Sequence, residues 1–294
     1  MGKDFFENFA EARAVFEEGE SLLGTQVTKL IFDGPEEMLR ETKHSQTAIY
    51  LTSLALCAVL KKQFPFLNAK MMAGLSLGEY SALTASGRVS FSSCLGLVNY
   101  RGACMHEACE GSRGAMAAVL GLSSQEVKAL VQELQLPNDL WIANYNSPEQ
   151  TVISGTVMGV ERGMAYAKER GAKRVIALKV HGAFHSGLMK GAEEKLKETV
   201  TNLAIQESKV RLVMNVTGEY VEKSSEISFY LLSQITQSVL WEKTIETMKK
   251  EGDLFLEIGP GKTLAGLNKQ NGVIVPTLSI NKVGDLDLLA QLLT

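Results

Sequence analysis

A serine between two glycines is the first feature of this sequence that could do chemistry. Residues 73–80 read AGLSLGEY, which places Ser76 in the pattern G-x-S-x-G. A short apolar run, Lys70–Ala73, precedes the pattern and a helical segment follows from Gly78, so the sequence predicts strand, sharp turn and helix. In that context the serine would be a nucleophile at the tip of a strained turn. The alternative, a serine in an ordinary glycine-containing loop, is left open by the pattern alone.

A serine nucleophile needs a base, and imidazole titrates in the right range. The chain has 4 histidines. His44 lies in a polar segment and His106 in a predicted helix, whereas His181 and His185 stand together in VHGAFHSG, beside a predicted domain boundary. Clefts tend to form at such boundaries, which makes this pair the better candidates. Because no histidine follows His185, the Ser, Asp, His order of an ordinary α/β-hydrolase fits poorly.

Two groups of residues could be read as metal sites. His181 and His185 have the i,i+4 spacing of a zinc helix, but no glutamate follows the first histidine and a glycine lies between them. Cys104, His106 and Cys109 fit no standard zinc spacing. The 4 cysteines include no C-x-x-C pair, which favours reduced thiols and a cytoplasmic location. We therefore expect no metal.

Composition excludes several classes of protein. The chain of 294 residues is 45% hydrophobic and 21% charged, with a net charge of −3, which argues against a nucleic-acid-binding surface. The longest apolar run, Ala48–Leu60, is too short to cross a bilayer and contains Thr52 and Ser53. The acidic, amphipathic N-terminus is not a secretory signal. We expect no nucleic-acid or membrane partner.

The order of predicted elements indicates two domains. Strands alternate with helices along most of the chain, which predicts an α/β fold with a mainly parallel sheet. Helices are expected at Asp4–Glu18 and Gln46–Lys62. Between residues 114 and 180 the order changes to βαββαβ, that of a ferredoxin-like motif, with a capping box at the start of its first helix. We therefore predict a small domain, 114–180, inserted between residues 1–113 and 181–294 of a larger one.

Two further segments have a plain and a functional interpretation. EIGPGKTL, Glu257–Leu264, lacks the glycines of a Walker A or G-x-G-x-x-G loop, so a turn between strand and helix is expected. Arg101, in NYRGAC, is a lone arginine on a largely apolar helix. It is either a surface or salt-bridging arginine, or a fork that binds a substrate carboxylate with two parallel hydrogen bonds.

Taken together, these segments resemble one known family. Their order and approximate spacing are similar to those of bacterial malonyl-CoA:acyl carrier protein transacylases. The resemblance covers nearly the whole chain, and it rests on the segments GLSLGEYSAL, RG at Arg101–Gly102, NYNSP, GAFHS, QITQSVLW and EIGPGKTLAGL. It implies an α/β-hydrolase-like large domain with a ferredoxin-like insertion. It also implies transfer of malonyl from coenzyme A to the phosphopantetheine thiol of acyl carrier protein, in fatty-acid synthesis.

The resemblance implies a role for each candidate residue. Ser76 would attack the malonyl thioester, with His185 as general base and then acid. The backbone carbonyl of Gln234 would orient the histidine, in place of a triad carboxylate. The N–H of Leu77 would be an oxyanion donor, and Arg101 would pair with the malonyl carboxylate. No cofactor is implied, and we expect a monomer.

Phe184, in GAFH, resembles the malonyl-selective pattern of related acyltransferase domains, where an aromatic ring fills the space that an α-methyl group would need. Its alternative role is core packing. Two other functions stay open for the same Ser76 and His185. One is a serine esterase or thioesterase with water as acceptor, and the other is a non-catalytic remnant.

Two departures from the family pattern affect these expectations. Leu75 stands where many members have histidine, and little effect is expected because that residue is not the base. The N-terminal strand and G-Q-G-S-Q loop, which supplies the other oxyanion N–H, have no counterpart in the sequence. We therefore expect the natural protein to begin about fifteen to twenty residues upstream, the length of one strand and a tight loop.

Overall fold

The structure of this chain, a computed structural model, describes residues 1–180 and 182–294. These residues form two compact units. The first unit consists of Met1–Gly102, Ala204–Leu212 and Lys249–Thr294, and the second of Ala103–Leu203 and Val213–Met248.

The helices and strands alternate along most of the chain, as the sequence predicted. The helices are α1 (Lys3–Asn8), α2 (Ala10–Leu23), α3 (Val27–Asp33), α4 (Glu36–Arg40), α5 (Thr42–Gln63), α6 (Gly78–Ala85), α7 (Phe91–Gly111), α8 (Ser124–Glu133), α9 (Val157–Glu169), α10 (Lys190–Thr201), α11 (Ser224–Ser233), α12 (Trp241–Met248), α13 (Thr263–Gln270) and α14 (Asp285–Leu293). The strands are β1 (Met71–Met72), β2 (Gly114–Leu120), β3 (Leu140–Ser147), β4 (Gln150–Thr156), β5 (Arg174–Ala177), β6 (Arg211–Leu212), β7 (Phe255–Ile258) and β8 (Thr277–Ile280).

The first unit contains the parallel part of the fold. Strand β1 pairs in parallel with β6, and β7 pairs in parallel with β8. Helix α5 is the most buried helix of this unit, because its apolar residues between Ala48 and Leu60 cover all of its sides. None of the helices in the described part of the chain is both long and apolar enough to cross a membrane.

One helix predicted near the N-terminus is two helices in the structure. The prediction of a single helix over Asp4–Glu18 is wrong, since Phe9 has extended backbone between α1 and α2. The Asn8 side chain donates to the Asp4 carbonyl at 2.8 Å, which competes with helix propagation. Edge-to-face contacts of Phe16 with Phe6 of α1 and Phe32 of α3 then hold the three helices together. Apolar residues at positions 5, 9, 12 and 16 keep helical spacing across Phe9, so the sequence does not mark the break.

The second unit contains a four-stranded antiparallel sheet. Its strand order is β3-β4-β2-β5, with every pairing antiparallel, which is the ferredoxin-like arrangement that the βαββαβ order predicted. The capping box is also confirmed: the Ser123 hydroxyl accepts from the Glu126 N–H at 3.2 Å, and the Ser123 N–H donates to the Glu126 carboxylate at 2.7 Å. Helices α8 and α9 pack on this sheet around Val127, Leu130 and Val160.

The outer edge of this sheet is extended by a segment from later in the chain. Val239 pairs in parallel with Asn144 of β3, with backbone hydrogen bonds to Ala143 and Tyr145 of 2.8 and 2.9 Å. The Ser238 hydroxyl adds a bond to the Ile142 carbonyl. This pairing fixes the segment that follows α11, and it covers part of the sheet edge.

The domain boundaries predicted at 113/114 and 180/181 follow the limits of the small sheet, which runs from Gly114 to Ala177. The compact second unit is larger than the sheet and its two helices, because it also includes residues 103–113 and 213–248. The predicted division into 1–113, 114–180 and 181–294 stays a prediction.

Candidate active site

Ser76 lies on the sharp turn that the G-x-S-x-G pattern predicted. Strand β1 ends at Met72 and α6 begins at Gly78, so only five residues separate strand and helix. Ser76 has φ 51°, in the left-handed region that non-glycine residues rarely adopt. Such backbone strain concentrates at functional sites, where the surrounding structure maintains it. The backbone therefore has the geometry of a nucleophile elbow, and the role of Ser76 as nucleophile stays a prediction.

The first glycine of the pattern is required by space. A Cβ atom at Gly74 would lie 2.0 Å from the carbonyl carbon and oxygen of Gly78, so any side chain there would force the turn open. At Gly78 itself a Cβ atom would have no atom within 4 Å. Glycine is thus required at position 74, where the backbone of Gly78 approaches closely, whereas position 78 has room for a side chain.

The N–H of Leu77 is the candidate oxyanion donor. Leu77 is the N-cap residue of α6, directly after Ser76. The first N–H groups of a helix have no acceptor within that helix and lie at the positive end of its dipole. This position suits stabilisation of a negative oxygen that forms beside Ser76.

Arg101 is a buried residue in contact with Ser76. Its side chain is only 1% exposed, so the interpretation as a surface arginine is wrong. One guanidinium nitrogen, Nη2, donates to Ser76 Oγ at 3.3 Å, and the other, Nη1, donates to Oε1 of Gln46 in a short hydrogen bond. The guanidinium carbon also lies 5.0 Å from the ring centroid of Tyr80. A cation is therefore held beside the candidate nucleophile.

The Tyr80 side chain is neutral at physiological pH. Burial raises the pKa of its phenol to about 12, even though the nearby Arg101 guanidinium acts to lower that pKa. A neutral ring contributes its aromatic face to the arginine without adding a negative charge that would compete with an anionic ligand.

His185, like Ser76, has left-handed backbone, with φ 56°. The imidazole is buried, and its Nδ1 lies 2.7 Å from the backbone carbonyl oxygen of Gln234. Since a carbonyl can only accept, Nδ1 is the protonated nitrogen in this contact. In the neutral ring Nε2 is then the unprotonated nitrogen, as a general base requires.

The carbonyl that orients His185 is itself firmly held. Gln234 is fully buried, and its side-chain nitrogen donates to Asn215 Oδ1 at 3.3 Å. The Asn215 carbonyl in turn accepts from the Leu240 N–H at 2.8 Å. Five and six residues after the end of α11, Ser238 and Val239 are also hydrogen-bonded to β3. These hydrogen bonds fix the backbone that carries the Gln234 carbonyl.

A short capped helix and a cavity lie next to His185. Ser186 caps the short 3-10 helix Gly187–Met189 by accepting from the Leu188 N–H at 3.3 Å. A cavity of about 370 Å³ opens beside the imidazole. Its walls combine apolar and hydroxyl or amide side chains: Trp141, Ile142, Tyr145, Val216, Thr236, Gln237, Ser238 and Leu240.

Phe184 packs on the small sheet. Its ring is half-buried and contacts the cluster of Met116, Ala118, Ala143 and Val152. This contact accounts for an apolar side chain at the position by packing alone. A role in substrate selection stays a prediction.

The predicted site residues thus fall into two groups. Ser76, Leu77 and Arg101 belong to the first unit, whereas Phe184, His185 and Gln234 belong to the second. His181, the other candidate base and zinc ligand, lies outside the described residues. Among the residues that are described, no group of three or more His, Cys, Asp or Glu side chains could hold a metal ion.

The EIGPGKTL segment is the predicted turn between a strand and a helix, β7 and α13. The Glu257 carboxylate accepts from the N–H groups of Leu264 and Ala265 at 2.8 and 3.0 Å. It also accepts from the Ser279 hydroxyl at 2.7 Å. Because a carboxylate of the chain itself caps this helix, the segment does not present its N-terminus to a phosphate.

Proteins of known function are similar to this chain over its whole length. Residues 1–274 match the acyl transferase domain family. The malonyl CoA-acyl carrier protein transacylase of Bacillus subtilis is 39% identical over 295 residues, which cover 100% of this chain and 92% of that protein. The chain belongs to the acyl transferase family. Within the family, the Escherichia coli malonyl CoA-acyl carrier protein transacylase is 35% identical, with 100% of this chain and 94% of that protein covered.

Solved structures of family members have the same fold. The malonyl CoA-acyl carrier protein transacylase of Clostridium perfringens superposes with a TM-score of 0.94 at 36% identity, covering 100% of this chain and 92% of that one. A type II PKS acyl-carrier protein in complex with its malonyl-transacylase gives the same TM-score at 32% identity, with 99% and 94% covered. The predicted α/β fold with its ferredoxin-like insertion and the predicted family are confirmed.

Two polar residues of these acyltransferase groups were not anticipated. Gln46 had a usable signal, because a polar side chain at the start of the predicted apolar helix Gln46–Lys62 points to a specific partner. Asn215 had none, since an asparagine is equally typical of a turn.

Proposed function

We propose that this acyltransferase moves a malonyl group from malonyl-CoA to the phosphopantetheine thiol of acyl carrier protein. The observation that carries the proposal is the buried cation of Arg101 in contact with the hydroxyl of an elbow serine. A malonyl thioester carries a free carboxylate two bonds from the carbonyl carbon that Ser76 would attack. A guanidinium binds a carboxylate through two parallel hydrogen bonds, so this site suits an acyl group with a negative end.

In the proposed first half-reaction, His185 Nε2 takes the proton of Ser76 as Oγ attacks the thioester carbonyl. The carbonyl oxygen becomes an oxyanion near the Leu77 N–H. The carbon–sulfur bond then breaks, and the coenzyme A sulfur leaves with the proton from His185. The product is a malonyl ester of Ser76.

The second half-reaction reverses these steps with a different thiol. His185 takes the proton of the phosphopantetheine S–H, the sulfur attacks the malonyl ester, and Ser76 Oγ leaves with that proton. The imidazolium formed in each half is stabilised by the Gln234 carbonyl dipole, which points at Nδ1. The exchange of one acyl bond for another is redox-neutral and needs no metal or other cofactor.

The relatives support both the acceptor and the reaction type. Those compared above are named malonyl CoA-acyl carrier protein transacylases, and one solved structure holds an acyl-carrier protein. These names favour transfer over the esterase or thioesterase alternative. We propose that acyl carrier protein is the acceptor and a coenzyme A thioester the donor. A monomeric state and a cytoplasmic location stay predictions.

The test is to incubate the protein with radiolabelled malonyl-CoA, remove free label, and add either holo-acyl carrier protein or buffer. We expect label on the protein that moves to acyl carrier protein and stays bound in buffer. The Ser76→Ala variant serves as control and should take up no label. Rapid release of malonate in buffer would favour a hydrolase, and an unlabelled wild-type protein would contradict the proposed activity.

A further inference from the structure

Gln46 is a buried amide that the proposed mechanism does not use. It lies in the second turn of α5, is 5% exposed, and accepts a short hydrogen bond from Nη1 of Arg101. We propose that Gln46 is a positioning residue, which holds the Arg101 guanidinium in the orientation that binds the carboxylate of the acyl group. This inference rests on the proposed malonyl transfer, and it names a residue that supports the preference of Arg101 for an acyl group with a carboxylate.

The geometry around Arg101 explains why one amide can set its orientation. A guanidinium is planar, so two contacts at different nitrogens fix the rotation of the plane. Gln46 accepts from Nη1, and Ser76 Oγ lies 3.3 Å from Nη2. The ring of Tyr80 also contacts the guanidinium, with its centroid 5.0 Å from the guanidinium carbon. Of the two hydrogen-bonded contacts, the one to Ser76 must change when that oxygen becomes acylated. The contact to Gln46 does not take part in the reaction and can persist.

Gln46 is brought to Arg101 by the close packing of two helices. A Cβ atom at Gly102, the residue after Arg101, would lie 3.1 Å from Cα and O of Lys43. The backbones of α5 and α7 therefore approach closely beside the arginine. Next to Gln46, the Thr47 hydroxyl reaches Asn99 on α7 at 3.5 Å. The amide is thus on a rigid element, which is what positioning of a substrate-binding group requires.

The chemical type of the residue fits this role. An amide oxygen accepts a hydrogen bond from a guanidinium but has no formal charge, so it orients the cation without neutralising it. A carboxylate at the same place would form an ion pair with Arg101 and would compete with the malonyl carboxylate. An apolar side chain of equal size would leave the arginine without this acceptor.

These differences define two variants and one control. Gln46→Met keeps the approximate volume and removes the acceptor, whereas Gln46→Glu keeps an acceptor and adds a negative charge. The control is Thr52→Val on the same helix. Thr52 is 1% exposed, and its hydroxyl has no hydrogen-bond partner among the described residues, so the substitution changes a buried polar group away from the arginine.

The experiment measures kcat/KM for transfer to holo-acyl carrier protein from malonyl-CoA and, separately, from acetyl-CoA. Loss of one hydrogen bond to a charged group lowers binding about 10-fold to 100-fold. For Gln46→Met we expect a loss of this size with malonyl-CoA, mainly through KM, and a change of less than about twofold with acetyl-CoA. Gln46→Glu should lose more malonyl transfer than Gln46→Met, and Thr52→Val should match the wild type with both donors.

A second measurement covers the case of very slow acetyl transfer. Phenylmethylsulfonyl fluoride, a neutral serine reagent, should modify Ser76 at similar rates in the wild type and in Gln46→Met. Malonate should protect Ser76, and the Gln46→Met variant should need about 10-fold to 100-fold more malonate for equal protection.

The outcomes separate this inference from the proposed function. A wild-type protein that transfers no malonyl would contradict the function itself. Normal wild-type transfer with an unchanged malonyl-to-acetyl ratio in Gln46→Met would overturn the positioning role alone. If kcat/KM fell equally for malonyl-CoA and acetyl-CoA and Ser76 was modified more slowly, Gln46 would only support the fold.

Discussion

Ser76 and His185 lie in different units of the protein, yet their backbones are built in the same way. Each has left-handed φ, 51° and 56°, and each directly precedes the N-cap residue of a helix: Leu77 for α6 and Ser186 for the 3-10 helix. In both regions the residue with left-handed backbone is the last residue of a loop before a helix begins. Such a position directs a side chain away from the helix that follows and keeps it outside the helical hydrogen-bond pattern.

The two regions differ in what holds the reactive side chain. Around Ser76 the contact is a full cation, Arg101, which a neutral amide fixes in turn. Around His185 the contact is a neutral backbone carbonyl. The first arrangement suits binding of an anion, and the second suits a ring that gains and loses a proton in each half-reaction. The charged Arg101 thus lies where the proposed substrate would have its carboxylate. The neutral carbonyl dipole of Gln234 lies beside the ring that would exchange protons.

Removal of the two reactive groups should have the largest and clearly unequal effects. Ser76→Ala should form no acyl-enzyme, because the atom that accepts the acyl group is gone. His185→Gln should still form it, about 10²-fold to 10⁴-fold more slowly, which is the usual contribution of general base catalysis. Intact mass spectrometry after rapid mixing with malonyl-CoA measures both. A malonyl adduct on Ser76→Ala would place the nucleophile elsewhere.

Removal of the cation should change selectivity. Arg101→Ala should lower malonyl transfer by orders of magnitude, since loss of one partner of a buried ion pair costs about 2–5 kcal/mol. Transfer of acetyl, which has no carboxylate, should be spared or improved. Steady-state rates with both donors check this expectation. Equal losses for the two donors would mean that the arginine has a structural role.

The two glycines of the elbow should respond differently to the same change. Gly74→Ala forces a methyl group against the Gly78 carbonyl, and such overpacking costs about 1–3 kcal/mol of folding free energy. Gly78→Ala meets no atom within 4 Å, so its free energy of unfolding should stay close to that of the wild type. Urea denaturation of both variants provides the comparison. A Gly74→Ala protein as stable as Gly78→Ala would show that the turn relaxes without cost.

Phe184→Ser tests selection in the second region. If the ring excludes an α-methyl group, the preference for malonyl over methylmalonyl should narrow, by no more than about 1–3 kcal/mol. The same change removes packing from the cluster around Met116, so stability should fall as well. Phe184→Leu, which retains most of the packing, is the matched control. If the ratio of malonyl to methylmalonyl transfer is unchanged in Phe184→Ser, the ring has a packing role only.

The smallest effect is expected at a helix cap far from the chemistry. Ser123→Ala should cost about 1 kcal/mol of stability and leave malonyl transfer unchanged. Hydrogen bonds from Ser123 hold the pKa of Glu126 below its ordinary value. The carboxylate therefore stabilises the fold above its unfolded-state pKa, and this contribution is lost as the pH falls through the folded pKa. Thermal denaturation from pH 7 to pH 3 should show the difference between the two proteins narrowing, because the hydrogen bond from Ser123 Oγ to the Glu126 carboxylate is weakened on protonation. A constant difference would contradict a contribution from that bond.

The sequence was sufficient to predict the elbow, the helix cap and the small sheet. The G-x-S-x-G pattern after an apolar run predicted the elbow, because a strand, a backbone contact at Gly74 and a helix start lie within ten residues. The cap at Ser123 is a contact across three positions, so its two residue types were sufficient to predict it. The small sheet followed from the order of its elements instead, since its strands pair residues as far apart as Ala117 and Ala177.

Tertiary structure decided the contacts that orient the reactive groups. Gln46 and Arg101 are 55 residues apart, and no spacing rule relates them. The resemblance to a family supplied the predicted role of Gln234, but the atom concerned is a backbone carbonyl, which every residue type has. Its position depends on Asn215 and on the pairing of Val239 with β3. Packing likewise divided the predicted N-terminal helix at Phe9. Such contacts arise only when distant segments meet, because their energy comes from burial and geometry in the folded chain rather than from the residue type at one position.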